Sequence, residues 1–546
     1  MYLNHKGLTD TQEWLNRGYK LPQFDIEQVT QDTKKAPTWI HFGAGNIFRA
    51  FPAKVVQHLL EQEVLTKGLI MCEGYDYEII DQIDQKHHNL NILVTLKADG
   101  SVEKTVLASI VESLKLDPMI EDYKRLKEIF ENPSLQMVSF TITEKGYSLK
   151  DQTGQYICDV AADIKTGPQT CQSYMGKVVS LLYHRYQNSH SPIAMVSLDN
   201  CSHNGDKLKD AVTTLAQEWV LHGFVDEGFV SYVNDPIHVS FPWTMIDKIT
   251  PRPDSSVMTL LQADTLNDIE PIITAKNTYI APFVNAEECE YLVIEDVFPN
   301  GRPTLEEGGL FFTDRSTVDQ VEKMKVCTCL NPLHTALAVF GCLLGYDKIS
   351  EEMKDPDLRV FIEQMAYTEG LPVVVNPGIL DPKEFLDAVL RIRLPNPFMP
   401  DAPQRIATDT SQKLGIRFGE TIKAYLASPN LHVSSLKLIP FVFAGWLRYL
   451  MAVDDAGQVM ELSPDPRLDY LTKIMVQVPF GPFTKEQPLA NEEIELLLRP
   501  ILSDVSIFAV DLYEVGMAPL IIQYFMEMIQ GAGAVKCALH NIVSKS

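Results

Sequence analysis

The stretch Thr38-Trp-Ile-His-Phe42-Gly43-Ala-Gly45-Asn-Ile-Phe-Arg49 decides the fold of the N-terminal half of the chain. Its first five residues predict a buried β-strand, and the two glycines predict a tight turn into a helix. Pro52 falls in the first turn of that helix, where proline is tolerated. Glycines placed between a strand and a helix let a pyrophosphate approach the backbone, so the stretch predicts a dinucleotide-binding turn.

A second strand, 68–73, supports this interpretation because it ends in an acidic residue, Glu73, 28 residues after Gly45. A carboxylate at this place can accept hydrogen bonds from ribose hydroxyls and repels a 2′-phosphate, which favours NAD over NADP. The third glycine of the usual fingerprint is absent, and Phe48 and Arg49 occupy that region. The alternative is a glycine-rich turn followed by a surface glutamate.

The remaining pattern divides the chain into two domains and a short arm. Strand patterns at 90–96, 137–143 and 193–198 alternate with helical patterns at 119–131, 175–187 and 205–221, which predicts a mainly parallel sheet covered on both faces. Tyr77 to Asp84 also has a helical pattern. From about residue 316 the patterns are helical: 332–344, 356–368, 383–392, 413–427, 434–452, 491–502 and 516–530. We therefore predict an irregular arm with a short helix (1–35), an α/β Rossmann-type domain (36–315) and a mainly α-helical domain (316–546).

Composition excludes several classes of partner. The formal net charge is −25 and the pI is about 4.9, so the surface repels nucleic acid and anionic membranes. Nine scattered cysteines favour reduced thiols over a disulfide framework. The N-terminus lacks a signal-peptide pattern, and Pro440 and Arg448 interrupt the most apolar stretch, 436–453. We expect a cytoplasmic protein whose partner is a small molecule; the oligomeric state stays open.

The run Lys325-Val-Cys-Thr-Cys-Leu-Asn331-Pro-Leu-His334 places a lysine, an amide and an imidazole beside an apolar helical pattern. A lysine that loses hydration can exchange a proton near neutrality, and an asparagine can donate a hydrogen bond to an alkoxide. That combination suits hydride transfer at a C–OH/C=O pair without a metal. The alternative is structural: Asn331 would cap a helix that runs from Pro332 to Leu344 and stops at Gly345, with Lys325 solvated.

Three other segments carry candidate binding residues. Asp199-Asn200 follows a strand, at the edge where open α/β sheets bind ligands, although a helix-capping turn is equally compatible. Asp247 stands in an apolar stretch that a surface turn would also explain. Arg405, Asp409 and Lys413 have the spacing of one helical face, which favours a salt-bridge ladder.

A zinc site built from Cys327, Cys329 and His334 with Cys201 and His203 is disfavoured, because the spacing matches no structural zinc pattern.

Seven motifs occur in an order that resembles the polyol-specific long-chain dehydrogenases, the mannitol dehydrogenase family, which includes the hexuronate reductases. The motifs are Gly43-Ala-Gly45-Asn-Ile-Phe-Arg49-Ala, Thr143-Glu144-Lys-Gly146-Tyr147, Asp199-Asn200, Phe241-Pro with Asp247-Lys-Ile-Thr-Pro, Ile294-Glu295-Asp296, Lys325 with Asn331-x-x-His334, and Arg405 with Asp409-Thr-Ser-Gln-Lys413. The resemblance covers roughly residues 36–530.

The resemblance implies a metal-independent, NAD-dependent enzyme with substrate in the cleft between its two domains. Lys325 would be the general acid/base, Asn200 and Asn331 would form the oxyanion hole, and His334 would orient substrate hydroxyls. Asp247 would assist substrate binding or proton relay, and Arg405 and Lys413 would contact the distal part of the substrate. The residues implied at the cofactor are Gly43, Gly45, Asn46, Ile47, Glu73, Thr143 and Glu144.

The chain departs from the family pattern at two places. The family usually spaces the lysine five residues before the asparagine, whereas Lys325 is six residues before Asn331. The segment 282–291 also lacks the usual tryptophan. With the cationic pair Arg405 and Lys413, these departures favour a hexuronate reductase that interconverts D-fructuronate and D-mannonate. Tagaturonate reductase, mannitol 2-dehydrogenase and a catalytically inactive NAD-binding sensor are the alternatives.

Overall fold

The backbone separates into two compact units. The computed structural model describes residues 1–253, 255–481 and 491–545. The first unit comprises residues 1–97 and 101–319, and the second comprises 98–100 and 320–546. The division therefore falls inside the helix Arg315–Met324, close to residue 316, where the helical pattern begins.

The described strands all lie in the first unit. In chain order they are β1 (Tyr19–Lys20), β2 (Trp39–Phe42), β3 (Leu69–Glu73), β4 (Asn91–Leu96), β5 (Val102–Leu107), β6 (Ile110–Lys115), β7 (Met137–Phe140), β8 (Ile193–Ser197), β9 (Val239–Ser240), β10 (Thr244–Asp247), β11 (Ile272–Ile273), β12 (Tyr279–Ile280), β13 (Phe283–Glu287), β14 (Tyr291–Glu295) and β15 (Phe311–Thr313).

The helices before the division include the ones that cover these sheets. They are α1 (His5–Leu8), α2 (Thr11–Asn16), α3 (Ile26–Lys35), α4 (Asn46–Ala50), α5 (Pro52–Glu61), α6 (Glu121–Glu131), α7 (Thr143–Gly146), α8 (Cys158–Thr166), α9 (Tyr174–Asn188), α10 (Asn204–Leu221), α11 (Glu227–Asn234), α12 (Ser255–Ala263) and α13 (Arg315–Met324).

The second unit is helical. Its α-helices are α14 (Asn331–Leu344), α15 (Ile349–Glu352), α16 (Pro356–Gln364), α17 (Pro382–Ala388), α18 (Pro403–Ile406), α19 (Thr410–Leu414), α20 (Glu420–Ala427), α21 (Leu438–Tyr449), α22 (Leu468–Met475), α23 (Asn491–Leu502), α24 (Val505–Phe508), α25 (Ala518–Met528) and α26 (Ala534–Lys545). The described residues of this second unit form no β-strand, and an isolated bridge joins Val453 to Val459.

Wider π-helical turns interrupt or extend several of these helices. They lie at Ile80–Asp84 in the first unit and at Lys325–Cys329, Met365–Gly370, Val389–Arg393 and Gly415–Gly419 in the second. Short 3₁₀ turns lie at Glu306–Gly308, Leu371–Val373 and Val433–Ser435. A π turn closes its hydrogen bonds over five residues instead of four and is frequent at functional sites.

A six-stranded parallel sheet forms the centre of the first unit. Its strand order is β6-β3-β2-β7-β8-β9, and every neighbouring pair is parallel. Counted along the chain within this sheet, the order is 3-2-1-4-5-6, that of dinucleotide-binding doubly wound sheets. Successive side chains of β2 point to opposite faces of the sheet. Ile40 and Phe42 pack with α6, α9 and α10 on one face, whereas Trp39 packs with α4 and α5 on the other. The predicted α/β fold is confirmed.

An aromatic pair replaces the third glycine of the fingerprint. The Phe48 ring stacks on the His41 ring, with centroids 3.7 Å apart and planes at 3°. His41 lies in β2, and its ring nitrogens bond the hydroxyls of Ser139 and Thr141 at 2.7 and 2.8 Å. Burial lowers the pKa of His41, so the ring is neutral. Because the Phe48 ring fills the space between helix and sheet, the close contact that a glycine permits is not needed.

Two expectations for the first unit need correction. The N-terminal 35 residues are not an irregular arm: they form α1, α2, α3 and β1, which pairs with β5, and Trp14 is fully buried. The predicted strand at 90–96 exists as β4, but it belongs to a separate sheet of order β1-β5-β4-β13. A polar sequence can be fixed by a few buried anchors such as Trp14, which hydropathy patterns do not register.

Two mainly apolar helices, α14 and α21, are buried in the second unit. Every residue of α21 is buried, and α14 is buried from Pro332 to Leu343 except at His334. A Cβ at Gly445 would come within 2.7 Å of the Phe340 ring, so glycine allows α21 to approach α14 closely. The helical stretch Arg315–Leu344 is long and apolar enough to cross a membrane, but 78% of its most apolar window is buried in the protein. Burial inside the protein explains its apolar composition.

Candidate active site

The cofactor residues predicted in the first unit lie at one edge of the parallel sheet. Gly43 follows β2, Glu73 ends β3, and Thr143 follows β7. β2 and β7 are neighbours at the point where the strand order reverses. In open α/β sheets, the crevice at this reversal and at the carboxyl ends of the strands is where ligands bind.

The turn after β2 requires glycine at position 43 and leaves open space at position 45. Gly43 has φ of +113°, and a Cβ there would meet the Thr141 carbonyl oxygen at 2.4 Å. At Gly45 an added Cβ would meet no atom within 4 Å, so the space before α4 is open. Asn46 and Ile47 follow as partly exposed residues.

Glu73 is built into this turn. Its Oε2 accepts a hydrogen bond from the Ala44 amide at 2.8 Å, and its Oε1 accepts bonds from the Tyr75 and Asp76 amides at 2.6 and 3.1 Å. The side chain is buried, and each carboxylate oxygen can accept more than one bond. Glu73 thus holds the turn and retains acceptor capacity for a sugar hydroxyl.

A buried ion pair between Arg49 and Asp84 supports the same turn. Nε of Arg49 donates to the Ala44 carbonyl at 3.1 Å, and Nη2 donates to Asp84 Oδ2 at 2.8 Å. Nη1 lies 2.7 Å from Asp84 Oδ1, although its angle is poor for a hydrogen bond. Burial raises the pKa of Asp84, and Arg49 opposes that rise. Asp84 lies on the π turn Ile80–Asp84. No sequence pattern predicted that it pairs with Arg49.

Asp199 fixes the loop that follows β7. It accepts hydrogen bonds from the Ile142 amide at 3.0 Å, the Thr143 amide at 2.9 Å and the Tyr147 hydroxyl at 2.5 Å. Burial raises the pKa of Asp199, while these three bonds favour its charged form. Thr143 is held at φ of +64°.

Two predicted residues lie on the exposed side of this region. Glu144 forms an ion pair with Lys207 at 2.9 Å, and Asn200 follows Asp199 as an exposed residue. The sheet edge therefore brings Thr143, Glu144 and Asn200 into one region.

The loop after β8 is anchored by a residue that the sequence did not single out. The Asn204 side chain is fully buried; its Nδ2 donates to the Asp199 carbonyl at 2.9 Å and to Thr244 Oγ1 at 2.8 Å. Next to it, His203 adopts φ of +52° and stacks on Trp243 with centroids 4.0 Å apart. Asn204 therefore ties the loop carrying Asn200 to β10.

Asp247 is the last residue of β10, where it pairs with Tyr291 of β14 and is buried. The following residue, Lys248, lies 2.8 Å from Glu290, whose other oxygen lies 2.7 Å from Lys54. Burial lowers the pKa of Lys248, and Glu290 opposes that effect. This cluster of charges was not foreseen, because its members are far apart in the sequence.

In the second unit, Lys325 is the first residue of the π turn Lys325–Cys329, and its side chain is 5% exposed. The prediction of Asn331 as helix cap is wrong: Leu330 occupies the cap, and Asn331 is the first residue of α14. Gly345, at φ of +76°, ends the helix as predicted. A π turn accommodates one residue more than an α turn, which provides a place for the extra residue between Lys325 and Asn331.

His334 lies against an acidic residue that the sequence analysis missed. His334 Nε2 is buried and forms no hydrogen bond of normal geometry, but Asp401 Oδ2 lies 3.4 Å away. The other oxygen of Asp401 is paired with Arg405. Burial opposes ionisation of Asp401, but His334 and Arg405 outweigh it and hold its pKa below the usual value. Asp401 precedes Arg405 by four residues, and this spacing of opposite charges could have predicted their ion pair from the sequence.

The predicted single helical face from Arg405 to Lys413 is wrong. α18 ends at Ile406, α19 begins at Thr410, and Asp409 between them has φ of +54°. Lys413 instead folds back and donates to the carbonyls of Thr408 and Ile406. Burial lowers the pKa of Lys413, and the nearby Arg417 adds to the effect.

Arg417 is a second residue that was not foreseen. It lies on the π turn Gly415–Gly419 and donates to the Thr335 hydroxyl, which in turn donates to the Asn331 carbonyl at 2.9 Å. Burial lowers the pKa of Arg417 to about 10, so it remains a cation at neutral pH. Arg417 therefore holds the first turn of α14, which carries both Asn331 and His334.

Over the described ranges, no group of three or more His, Cys, Asp or Glu side chains is arranged to hold a metal ion. None of the nine cysteines, all of which lie in the described ranges, is in a disulfide bond. Cys329 is buried near the Pro382 carbonyl, and burial raises its pKa to about 12.

Two family models match consecutive parts of the chain. The mannitol dehydrogenase Rossmann domain matches residues 37–307, and the mannitol dehydrogenase C-terminal domain matches residues 317–514. The D-mannonate oxidoreductase of Thermotoga maritima is 50% identical over 100% of this chain and 99% of its own length. The D-mannonate oxidoreductase of Escherichia coli is 29% identical over 80% of this chain and 85% of its own length.

Two solved structures share the fold. A substrate-free D-sorbitol dehydrogenase matches with a TM-score of 0.76 over 97% of this chain and 99% of its own, at 23% identity. A Pseudomonas fluorescens mannitol 2-dehydrogenase, solved with NAD and D-mannitol, matches with a TM-score of 0.66 over the full length of both chains, also at 23% identity. At this identity the two likenesses support the fold alone.

Proposed function

The chain belongs to the mannitol dehydrogenase family, and on that premise we propose that it is an NAD-dependent oxidoreductase that interconverts D-fructuronate and D-mannonate. The observation that carries this proposal is the 50% identity, over the full length of both chains, with a D-mannonate oxidoreductase. The alternative of an inactive sensor is disfavoured, because Lys325, Asn331 and His334 are all present within ten residues of sequence.

The features of the sheet edge fit a dinucleotide. The open space at Gly45 and the positive φ of Gly43 leave room for a pyrophosphate beside the backbone. The buried carboxylate of Glu73 suits ribose hydroxyls and disfavours an added phosphate, which supports NAD over NADP. Tyr174 provides a further donor: its buried hydroxyl has no hydrogen-bond partner in the described structure. When bound, NAD would supply the acceptor for the hydride of the carbinol carbon, and NADH would supply the donor in the reverse direction.

The proton of the reacting hydroxyl is assigned to Lys325. In the oxidation direction, neutral Nζ of Lys325 takes the proton from the C–OH group; in the reduction direction the ammonium returns it. Asn200 and Asn331 would donate hydrogen bonds to the same oxygen, which carries negative charge as the hydride leaves or arrives. His334 would hold a neighbouring hydroxyl, and Asp247 would assist substrate binding.

The cationic side chains of the second unit support an acidic substrate. Burial lowers the pKa of Lys413, and the charges of Arg417 and Arg405 add to that effect, while Asp409 and Asp465 oppose it. Arg405 is also paired with Asp401. A substrate carboxylate beside Lys413 and Arg417 would favour both cations.

A substrate panel tests the proposal. The purified chain is mixed with NADH and with fructuronate, tagaturonate, fructose or fructose 6-phosphate, and NADH oxidation is followed by absorbance. We expect the highest kcat/KM with fructuronate, and oxidation of mannonate with NAD⁺ in the reverse direction. A preference for tagaturonate or fructose would replace the proposed substrate, and tight NADH binding without turnover on any compound would favour the sensor.

A further inference from the structure

We propose that Asp401 is a positioning residue that fixes the orientation and the tautomer of His334, so that His334 meets the substrate through Nδ1. The inference rests on the proposed function, because it concerns how a substrate hydroxyl is held. It arises from two side chains that the fold brings together across 67 positions of sequence.

The first observation is the state of His334 Nε2. This nitrogen is buried, lacks a hydrogen bond of normal geometry, and has Asp401 Oδ2 at 3.4 Å. A buried polar nitrogen is costly unless it is paired, and Asp401 Oδ2 is close enough to accept its proton. Hydrogen bonds at active sites are often long before substrate binds.

The second observation is that Asp401 is itself held in place. It is 8% exposed, its second carboxylate oxygen is paired with Arg405, and its backbone carbonyl accepts a bond from the Ile349 amide at 2.9 Å. A buried carboxylate that is held by an ion pair, on a backbone that is held by a hydrogen bond, can orient a neighbouring ring. Both of its partners, His334 and Arg405, are residues proposed to contact substrate.

The chemical consequence concerns the imidazole tautomer. A carboxylate accepts hydrogen bonds only, so the proton of neutral His334 is retained on Nε2, facing Asp401. Nδ1 is then left with a free lone pair and accepts a hydrogen bond from a substrate hydroxyl. Without Asp401 the ring can take either tautomer, and a donor at Nδ1 would oppose that hydroxyl.

The test uses the full chain with two substitutions of graded chemistry. Asp401→Asn keeps a side-chain oxygen that can accept a hydrogen bond from Nε2. Asp401→Leu has a side chain of similar size without any polar atom. We expect kcat/KM to fall by roughly 10- to 100-fold in Asp401→Leu, the range found when a group that orients a ligating histidine is removed. Asp401→Asn should lose less. Asp347→Asn, at an exposed aspartate of the same unit, is the matched control and should retain wild-type values.

A double-mutant cycle separates positioning from a structural role. In a His334→Gln background, Asp401→Leu should change kcat/KM by about 2-fold or less, because a residue that acts only through His334 has no effect once His334 is removed. NADH affinity should stay at the wild-type value throughout. An equal loss in both backgrounds, or wild-type kcat/KM in Asp401→Leu, would overturn the inference. Absence of turnover in the wild type would instead overturn the proposed function, so the two failures are distinguishable.

Discussion

At the scale of single residues, Lys325 carries the proposed proton transfer. Its side chain is buried at the start of a π turn, whereas Lys323, two residues earlier, is exposed. Lys325→Ala should therefore reduce kcat by roughly 100- to 10,000-fold, the usual contribution of general acid–base catalysis. NADH affinity, measured by fluorescence titration, should be nearly unchanged. Lys323→Ala is the control. A comparable loss of kcat in Lys323→Ala, and not in Lys325→Ala, would show that Lys323 carries the proton transfer.

Glu73 is proposed to select NADH over NADPH. Glu73→Ser removes the charge that repels a 2′-phosphate, so the ratio of kcat/KM for NADH to that for NADPH should fall. NADH affinity should weaken as well, because the Ala44 amide loses its acceptor. Glu78→Ser, on the same segment, serves as the control. An unchanged cofactor ratio in Glu73→Ser would remove this residue from the ribose site.

Sequence reasoning located Glu73 correctly at a strand end but could not show its bonds to three backbone amides. The position follows from the apolar run before it, which is a local property. The bonds depend on where the glycine turn lies beside the strand, and that is fixed by pairing of β2 with β3.

At the scale of elements, the π turn Ile80–Asp84 supports the glycine turn through Asp84. Asp84→Asn leaves the buried Arg49 guanidinium without a counter-charge, which typically costs about 3–5 kcal/mol. We expect a lower urea midpoint and weaker NADH binding. Asp81→Asn is the matched control on the same turn, because Asp81 is 43% exposed and pairs with Lys115. Equal stability of the two variants would contradict this role of Asp84.

The contact of α15 with α14 predicts a pH-dependent stability. Glu352 is fully buried, its two oxygens have no hydrogen-bond partner, and Gly341 of α14 lies against it. Burial raises the pKa of Glu352 well above its ordinary value, and Asp355 adds to the rise. The folded protein therefore retains a proton that the unfolded chain releases, so this group's contribution to stability is lost as pH rises above the unfolded pKa.

Glutamine does not ionise, so Glu352→Gln removes the proton release that favours the unfolded chain. Tm at pH 8 should therefore rise, by roughly 2–4 °C for each kcal/mol gained in the free energy of unfolding. Near pH 4 the difference should be much smaller, because the carboxyl of the unfolded chain is then mostly protonated as well. Differential scanning calorimetry at the two pH values measures the effect. Glu351→Gln, at an exposed neighbour that pairs with Lys354, should show no such pH dependence. A Tm difference independent of pH would contradict the prediction.

Elements were predictable where hydrophobic periodicity is regular, as in α10, α14 and α23. The π turns were not, because one extra residue in a helical turn leaves the apolar spacing almost unchanged. The break between α18 and α19 was missed for a related reason: the Arg405, Asp409 and Lys413 spacing fits a helix, yet Asp409 has positive φ.

At the scale of the whole molecule, the proposed cofactor residues all lie in the first unit, together with Asn200 and Asp247 of the proposed substrate site. Lys325, Asn331, His334 and Asp401 lie in the second unit. Four of the five tryptophans belong to the first unit, so tryptophan fluorescence reports mainly on its unfolding.

NADH at 100 times its Kd should stabilise the fluorescence-detected transition by about 2.7 kcal/mol. The gain should be equal in wild type and Lys325→Ala, and smaller at the same NADH concentration in Glu73→Ser. Urea titration with and without NADH provides the measurement. An equal gain in Glu73→Ser would contradict the placement of the cofactor.

The sequence by itself determined the parallel sheet, the helical second half, the glycine turn, and the order of motifs that marks the family. These are properties of chain neighbours: apolar spacing, turn residues and short-range patterns. Only the tertiary structure decided that Asp84 supports Arg49, that Asp401 meets His334, and that Arg417 reaches Thr335. Such pairs are set by which elements pack together, and no local pattern encodes that choice between residues 35 to 82 positions apart.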